Sequence, residues 1–223
     1  MSELTPIAEG LYEARGRLRT FGIIFPLRMS VFVHEGEVAL WSPIAIDDAR
    51  AAAIDTLGEV RAIVAPNRYH HLHFNAAAAR WPGATCFGPE APRFEAGRAL
   101  EPMKNFAFGP LQLVRVEGAE AIDEWVVFDP RSSSLVVTDL VFNIAHAESF
   151  MSRVVFGWFA GTLGGPGQSR LWKRFVRDEP TYRASIGTLL DLSAERIVPA
   201  HGDVIEDIGL AQALQRGPFP VQA

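Results

Sequence analysis

The chain has 223 residues, of which 48% are apolar and 21% charged, enough for a full hydrophobic core and far from a disordered composition. A net charge of −5 supplies no global basic field, which argues against nucleic acid and against a membrane surface as partners. Cys86 is the only cysteine, which rules out an intramolecular disulfide and a thiolate zinc cluster and suits a reducing cytoplasm.

The opening MSELTPIAEG has no apolar core and does not read as a secretory signal. RTFGIIFPLRMSVFV and EVALWSP read as strands separated by the turn-like HEGE, and IDDARAAAIDTL as a helix started by Asp47 or Asp48. VRAIVAP is a short strand, HHLHFNAAAARW a helix and ATCFGP another strand. LQLVRVEG, EWVVFDP and SSLVVTDLVF follow as strands, with DPRSSS as the hairpin turn between the last two. The chain then turns helical in AESFMSRVVFGWF, SRLWKRFVRD and PTYRASIGTLLDL, returns to a strand in ERIVPAHGD and ends with the helix IGLAQALQR. VVFGWFAGTLGG, the longest apolar stretch, falls short of the roughly 17 to 25 residues a membrane span needs. This order favours a single α/β domain over residues 1–223, with two mixed sheets between helical layers, over a regularly alternating doubly wound sheet.

Three segments end in polar residues where a strand gives out: APNRYHH, VVTDLVFNI and IVPAHGD. Asp139 ends an apolar run and needs a positive or hydrogen-bonding partner, and His201 precedes a glycine that lets the backbone turn sharply. Two imidazoles and a carboxylate gathered at neighbouring strand ends can form a divalent-metal site with positions open to water or substrate. A histidine cluster at a helix start also arises as surface decoration, so the first segment by itself decides nothing.

Together the three segments resemble the metallo-β-lactamase superfamily across nearly the whole chain, and more narrowly a branch with a degenerate first metal motif. The resemblance implies a four-layer αβ/βα sandwich of two mixed β-sheets flanked by helices, with the site along one edge. The usual first motif, His-x-His-x-Asp-His, fits in two registers. One places its last two residues on His70 and His71, with Pro66 and Arg68 where histidines belong. The other uses His71 and His73 with Asn75 and Ala76, but leaves barely a turn and a half of helix, so the first is preferred. No histidine stands in VEGAEAIDEWVV, where the resemblance places another ligand.

What the resemblance leaves is one metal held by His71, Asp139 and His201, with His70 as a fourth ligand or proton carrier and Arg68 filling the vacated position to hold Asp139 or a substrate carboxylate. The implied activity is hydrolysis of a small ester, thioester or lactone by a water acidified on zinc. Zinc is preferred to iron, and a protein that has lost its metals and acts as a binding module is the rival. Two histidines and a carboxylate also match non-haem iron sites, which leaves a redox enzyme open. His73 is expected to face solvent or lie just behind the site, His34 and His146 to lie apart, and Asp203 to orient its loop. Arg170, Lys173, Arg174 and Arg177 are spaced for one helix face, read as solvated, and FMSRVVFGWFAG reads as a buried helix or, alternatively, a substrate wall or dimer contact. The partner expected is a small molecule, with a homo-oligomer possible.

Overall fold

The structure, a computed structural model, describes residues 4–221. Its first sheet has seven strands in chain order: β1 (Leu4–Ala8), β2 (Leu11–Thr20), β3 (Ile23–His34), β4 (Glu37–Trp41), β5 (Glu59–Val64), β6 (Thr85–Gly88) and β7 (Glu101–Pro102). The first four pair antiparallel through tight turns, and β4 to β7 run parallel. The crossovers carry α1 (Asp48–Asp55), whose N-terminus is capped by the Asp47 carboxylate, and α2 (Phe74–Arg80). The second sheet holds β8 (Gln112–Arg115), β9 (Trp125–Asp129), β10 (Ser134–Val137) and, parallel to β10, β13 (Arg196–Pro199). A small third sheet pairs β11 (Phe142–Ile144) with β12 (Gly165–Gly167).

Side-chain alternation places the layers. In β9, Val127 faces the first sheet while Val126 and Phe128 face away from it; in β10, Val136 faces in, and Leu135 and Val137 face out. The inward residues meet Leu11, Phe32, Ala39, Trp41 and Val64 of the first sheet. The outward ones pack on α5 (Glu179–Asp191) and α6 (Leu210–Gln215), through Tyr182, Ile186, Leu189 and Leu214. The other face of the first sheet, with Met29, Val31, Leu40 and Ile63, is covered by Ile54 of α1 and by Phe74 and Ala77 of α2. Helix, sheet, sheet and helix thus stack in the αβ/βα order the sequence led us to expect.

Four local expectations need correction. His70 to His73 form the turn before α2 rather than its first turn. SSLVVTDLVF does not run as one strand: β10 stops at Val137 because the next three N–H groups donate to the buried Glu124 carboxylate. SRLWKRFVRD forms only α4 (Trp172–Phe175), since the Arg177 N–H turns aside to the Gly118 carbonyl, so its cations do not share one helix face. AESFMSRVVFGWF starts as α3 (Phe150–Ser152) and widens into a π-helix over Arg153–Ala160. Among the described residues no helix is long and apolar enough to cross a membrane.

Candidate metal centre

The parallel pairing of β10 with β13 sets the site. Val137 lies opposite Pro199, so continuing each strand by two residues brings Asp139 and His201 to the same edge of the sheet. The third contributor arrives from β5. Its continuation is tied to the second sheet by the Trp125 N–H on the Pro66 carbonyl and the Arg68 N–H on the Ile122 carbonyl. The Asn67 side-chain oxygen then accepts from the N–H groups of Tyr69 and His70, closing a turn that aims His70 at the other two residues.

The result is a triangle of donor atoms. His70 Nε2 lies 3.3 Å from His201 Nε2 and 3.2 Å from Asp139 Oδ2, and His201 Nε2 lies 3.6 Å from Asp139 Oδ1. Nitrogen and oxygen ligands about 2.0 to 2.2 Å from a tetrahedral ion stand about 3.3 to 3.6 Å apart. The contacts to Asp139 run through its two different oxygens, and one ligand atom from each residue lies within 4.8 Å of the others, close enough for one ion to be held among them. The outer atoms fit as well. His201 Nδ1 is 2.8 Å from the Pro26 carbonyl, which can only accept, so Nδ1 donates and Nε2 is left with its lone pair facing the triangle. His70 Nδ1 is 2.7 Å from the Ser42 hydroxyl.

Electrostatics binds the three residues together. Burial pulls the His70 pKa down, but the charge of Asp139 and its hydrogen bond outweigh it, and the value lies above the ordinary one. Burial alone would raise Asp139, yet the charge of His70, its hydrogen bond and the adjoining His201 ring hold it well below the usual carboxylate range. Behind Asp139 lies a second carboxylate, Glu124, fully buried. Its Oε1 accepts the N–H groups of Thr138, Asp139 and Leu140 at 2.8, 3.0 and 3.3 Å. Asn67 Nδ2 spans the two acids, donating to Glu124 Oε2 at 2.6 Å and to Asp139 Oδ2 at 2.8 Å. Burial and the neighbouring Asp139 charge push Glu124 up to about 7, against the donors from Thr138 and Asn67.

The His201 loop is held by a buried ion pair. Arg28 Nε donates to Glu13 at 2.6 Å, and the same guanidinium donates to the carbonyls of Pro199 and Gly202, which flank the histidine. Both partners are nearly inaccessible to water. An arginine inside the apolar run FPLRMSVF was the visible signal for this pair, and the acid beginning EWVVFD was the signal for Glu124. Nothing in the sequence marks Ser42, which takes a left-handed backbone, φ 58°, uncommon outside glycine.

The expected residues are thus brought together in part. Asp139 and His201 converge, but with His70 rather than His71. The His71 ring stacks on Phe94 at 4.7 Å, one residue past the turn that aims His70 inward. Arg68 makes no ion pair with Asp139, does not line the cleft, and leaves its buried Nε without a hydrogen-bond partner among the described residues. His73 lines the cleft, His146 lines a neighbouring groove, and His34 packs beside Gly109. Asp203 pairs with Arg15 at 2.9 Å and donates its N–H to the Asn143 carbonyl, fixing the loop as expected.

All three members of the triangle line a cleft of about 390 Å³, whose walls include Leu18, Phe25, Phe142, Leu171, Trp172 and Phe175. No family model matches this sequence, and no curated protein matches it. Solved structures do. A metallo-β-lactamase from Hirschia baltica is 13% identical with a TM-score of 0.64, over 97% of this chain and 98% of that one. One from Pontibacter korlensis is 15% identical with a TM-score of 0.62, over 92% and 93%. FIM-1 from Pseudomonas aeruginosa, solved in a mono-zinc form, is 15% identical with a TM-score of 0.61, over 92% and 89%. Layer order, strand topology and these matches agree: the chain has the metallo-β-lactamase fold.

Proposed function

We propose that the protein is a mononuclear metal-dependent hydrolase of a small ester, thioester or lactone, with His70, Asp139 and His201 as the ligands. The observation that carries this reading is the triangle of 3.2, 3.3 and 3.6 Å at the wall of an apolar cleft. Support comes also from FIM-1, a neighbour in fold that holds one zinc. A bound zinc-like ion supplies a Lewis acid and a water acidified to a pKa of about 7. The protein supplies the rest. The Pro26 carbonyl fixes the His201 tautomer, Asn67 and the two imidazoles keep Asp139 ionised, and the Ser42 hydroxyl orients His70. Phe25, Leu171 and Phe175 exclude water from the apolar part of a substrate.

The test is elemental analysis of protein purified without added metal, followed by a screen of esters, thioesters and lactones. About one equivalent of zinc, with turnover lost on chelation and absent in Asp139→Asn, is the expected result. A second reading, a redox enzyme, is favoured by the two-histidine, one-carboxylate set, which suits iron. Stoichiometric iron without hydrolysis would select it. Neither metal nor turnover would leave a binding module that kept the fold.

A further inference from the structure

The π-helical segment and the hairpin beside it carry an unusual surface. Trp158 is 77% exposed, Phe159 63% and Phe150 76%, and Phe21, at the tip of the β2–β3 hairpin, is 94% exposed. These are one surface rather than scattered residues. The Ser149 hydroxyl donates to the Gly22 carbonyl, the Ile24 N–H donates to Ser152 Oγ, and Met151 lies against Gly22. At the other end Arg170 reaches back to the Trp158 carbonyl at 2.6 Å, which brings the exposed Leu171 alongside.

Nothing in the hairpin asks for an aromatic tip. Phe21 and Gly22 form a two-residue turn with φ of 46° and 77°, a geometry that favours Asn, Asp or Gly at the position Phe21 occupies. A phenyl ring placed there, in a left-handed backbone and almost wholly in water, contributes no packing.

Charge is segregated along the same stretch of chain. Residues 149 to 177 include none of the chain's 26 acidic residues but five of its cations: Arg153, Arg170, Lys173, Arg174 and Arg177. All five are exposed, and among the described residues none has a carboxylate within ion-pair distance. The net charge of −5 hides this local excess.

We propose that this face docks the protein on an anionic lipid surface. Protruding Trp and Phe side chains in a segment that carries Arg and Lys and no acid suit the headgroup layer, where amphipathic rings settle and cations meet lipid phosphates and carboxylates. A second copy suits it less, because a two-fold contact would set five cations against five. A rigid acidic protein would need a pocket for the projecting hairpin tip, whereas a bilayer yields around it. The absence of any described helix long enough to span is consistent with attachment from one side. The cleft shares Leu171 with this surface, so docking brings the cleft mouth to the lipid. None of this depends on a metal at His70, Asp139 and His201.

The test is sedimentation of the full chain with vesicles of phosphatidylcholine alone or mixed with phosphatidylserine. Binding at least about tenfold tighter to the mixed vesicles, lost on raising salt from about 0.1 to about 0.5 M, is expected. Trp158→Ser with Phe159→Ser, and separately Lys173→Glu with Arg174→Glu, should each weaken it at least about fivefold with melting unchanged. Trp158→Phe should keep binding but lose the blue shift of fluorescence. Equal affinity for both vesicles, or none for either, overturns the proposal. So does concentration-dependent dimerisation abolished by the Trp158 and Phe159 changes, which would make a second copy the occupant.

Discussion

His201 and His70 bring their Nε2 atoms to 3.3 Å of each other, yet different chemistry stands behind each ring. His201 leans on a backbone carbonyl, which fixes one tautomer, and its loop is gripped by a buried ion pair. His70 leans on the Ser42 hydroxyl, which can donate or accept, so its Nε2 can present either a proton or a lone pair. In the metal-free protein the Asp139 carboxylate favours the protonated form of His70, which can donate to it; with an ion present His70 can turn ligand. One histidine is therefore built as a fixed ligand, the other as an adjustable one. The adjustable one lies in the segment where the resemblance read from the sequence allowed two registers.

The comparison can be broken most severely at its fixed half. Glu13→Ala leaves Arg28 buried without its carboxylate and should cost about 3 to 5 kcal/mol in denaturant unfolding. A loss below about 1 kcal/mol would mean that the His201 loop is held by its backbone alone. Replacing a member of the triangle comes next: Asp139→Asn should weaken zinc binding by more than about a hundredfold in competition titrations. On the adjustable half, Ser42→Gly removes the hydroxyl while suiting the left-handed backbone, so the fold should persist and zinc affinity fall about 10- to 100-fold. Unchanged affinity would show that the Ser42 contact only packs.

Protons sharpen the comparison further. His70 has a folded pKa above its ordinary value, so its stabilisation is full below about pH 6.5 and is lost as pH rises through the folded value. Glu124, raised to about 7 from 4.5, has the same sign and loses its contribution across that interval. Asp139 has the opposite sign, stabilising above about pH 4 and failing only in stronger acid. Metal-free protein should then melt highest near pH 4 to 5 and lower steadily past 7. Zinc competes with protons for the imidazoles, so the rise in melting temperature on adding it should grow with pH. A flat profile for the metal-free protein would count against the charged His70–Asp139 pair. The smallest effect belongs to Arg68→Met, which removes a buried Nε without a partner among the described residues and should leave stability unchanged or raise it by about 1 kcal/mol.

Apolar runs in EWVVFD and SLVV made the strands of the second sheet legible in the sequence, but which residue faces which layer came from the structure. Strand-end positions made Asp139 and His201 legible too. That His70 and not His71 joins them was not legible, because it turns on the Tyr69 and His70 N–H groups donating to the Asn67 side chain, which closes the turn that aims His70 inward. The break after β10 was equally hidden: an apolar run keeps its strand pattern until a buried acid elsewhere claims its N–H groups. Four cations at helical spacing suggested a solvated helix face, but a distant carbonyl, Gly118, diverts the chain after a single turn.

Gly202 follows His201 at φ 96°, bridged to Asn143, and a Cβ there would strike the Asn143 carbonyl. Every other amino acid is barred from that position, so mutation has no way to re-aim the loop by small steps. The bearing of His201 is inherited with the main chain, independently of whether any ion has been retained. A change of residue on the β5 side therefore leaves the opposite half of the site pointing the same way.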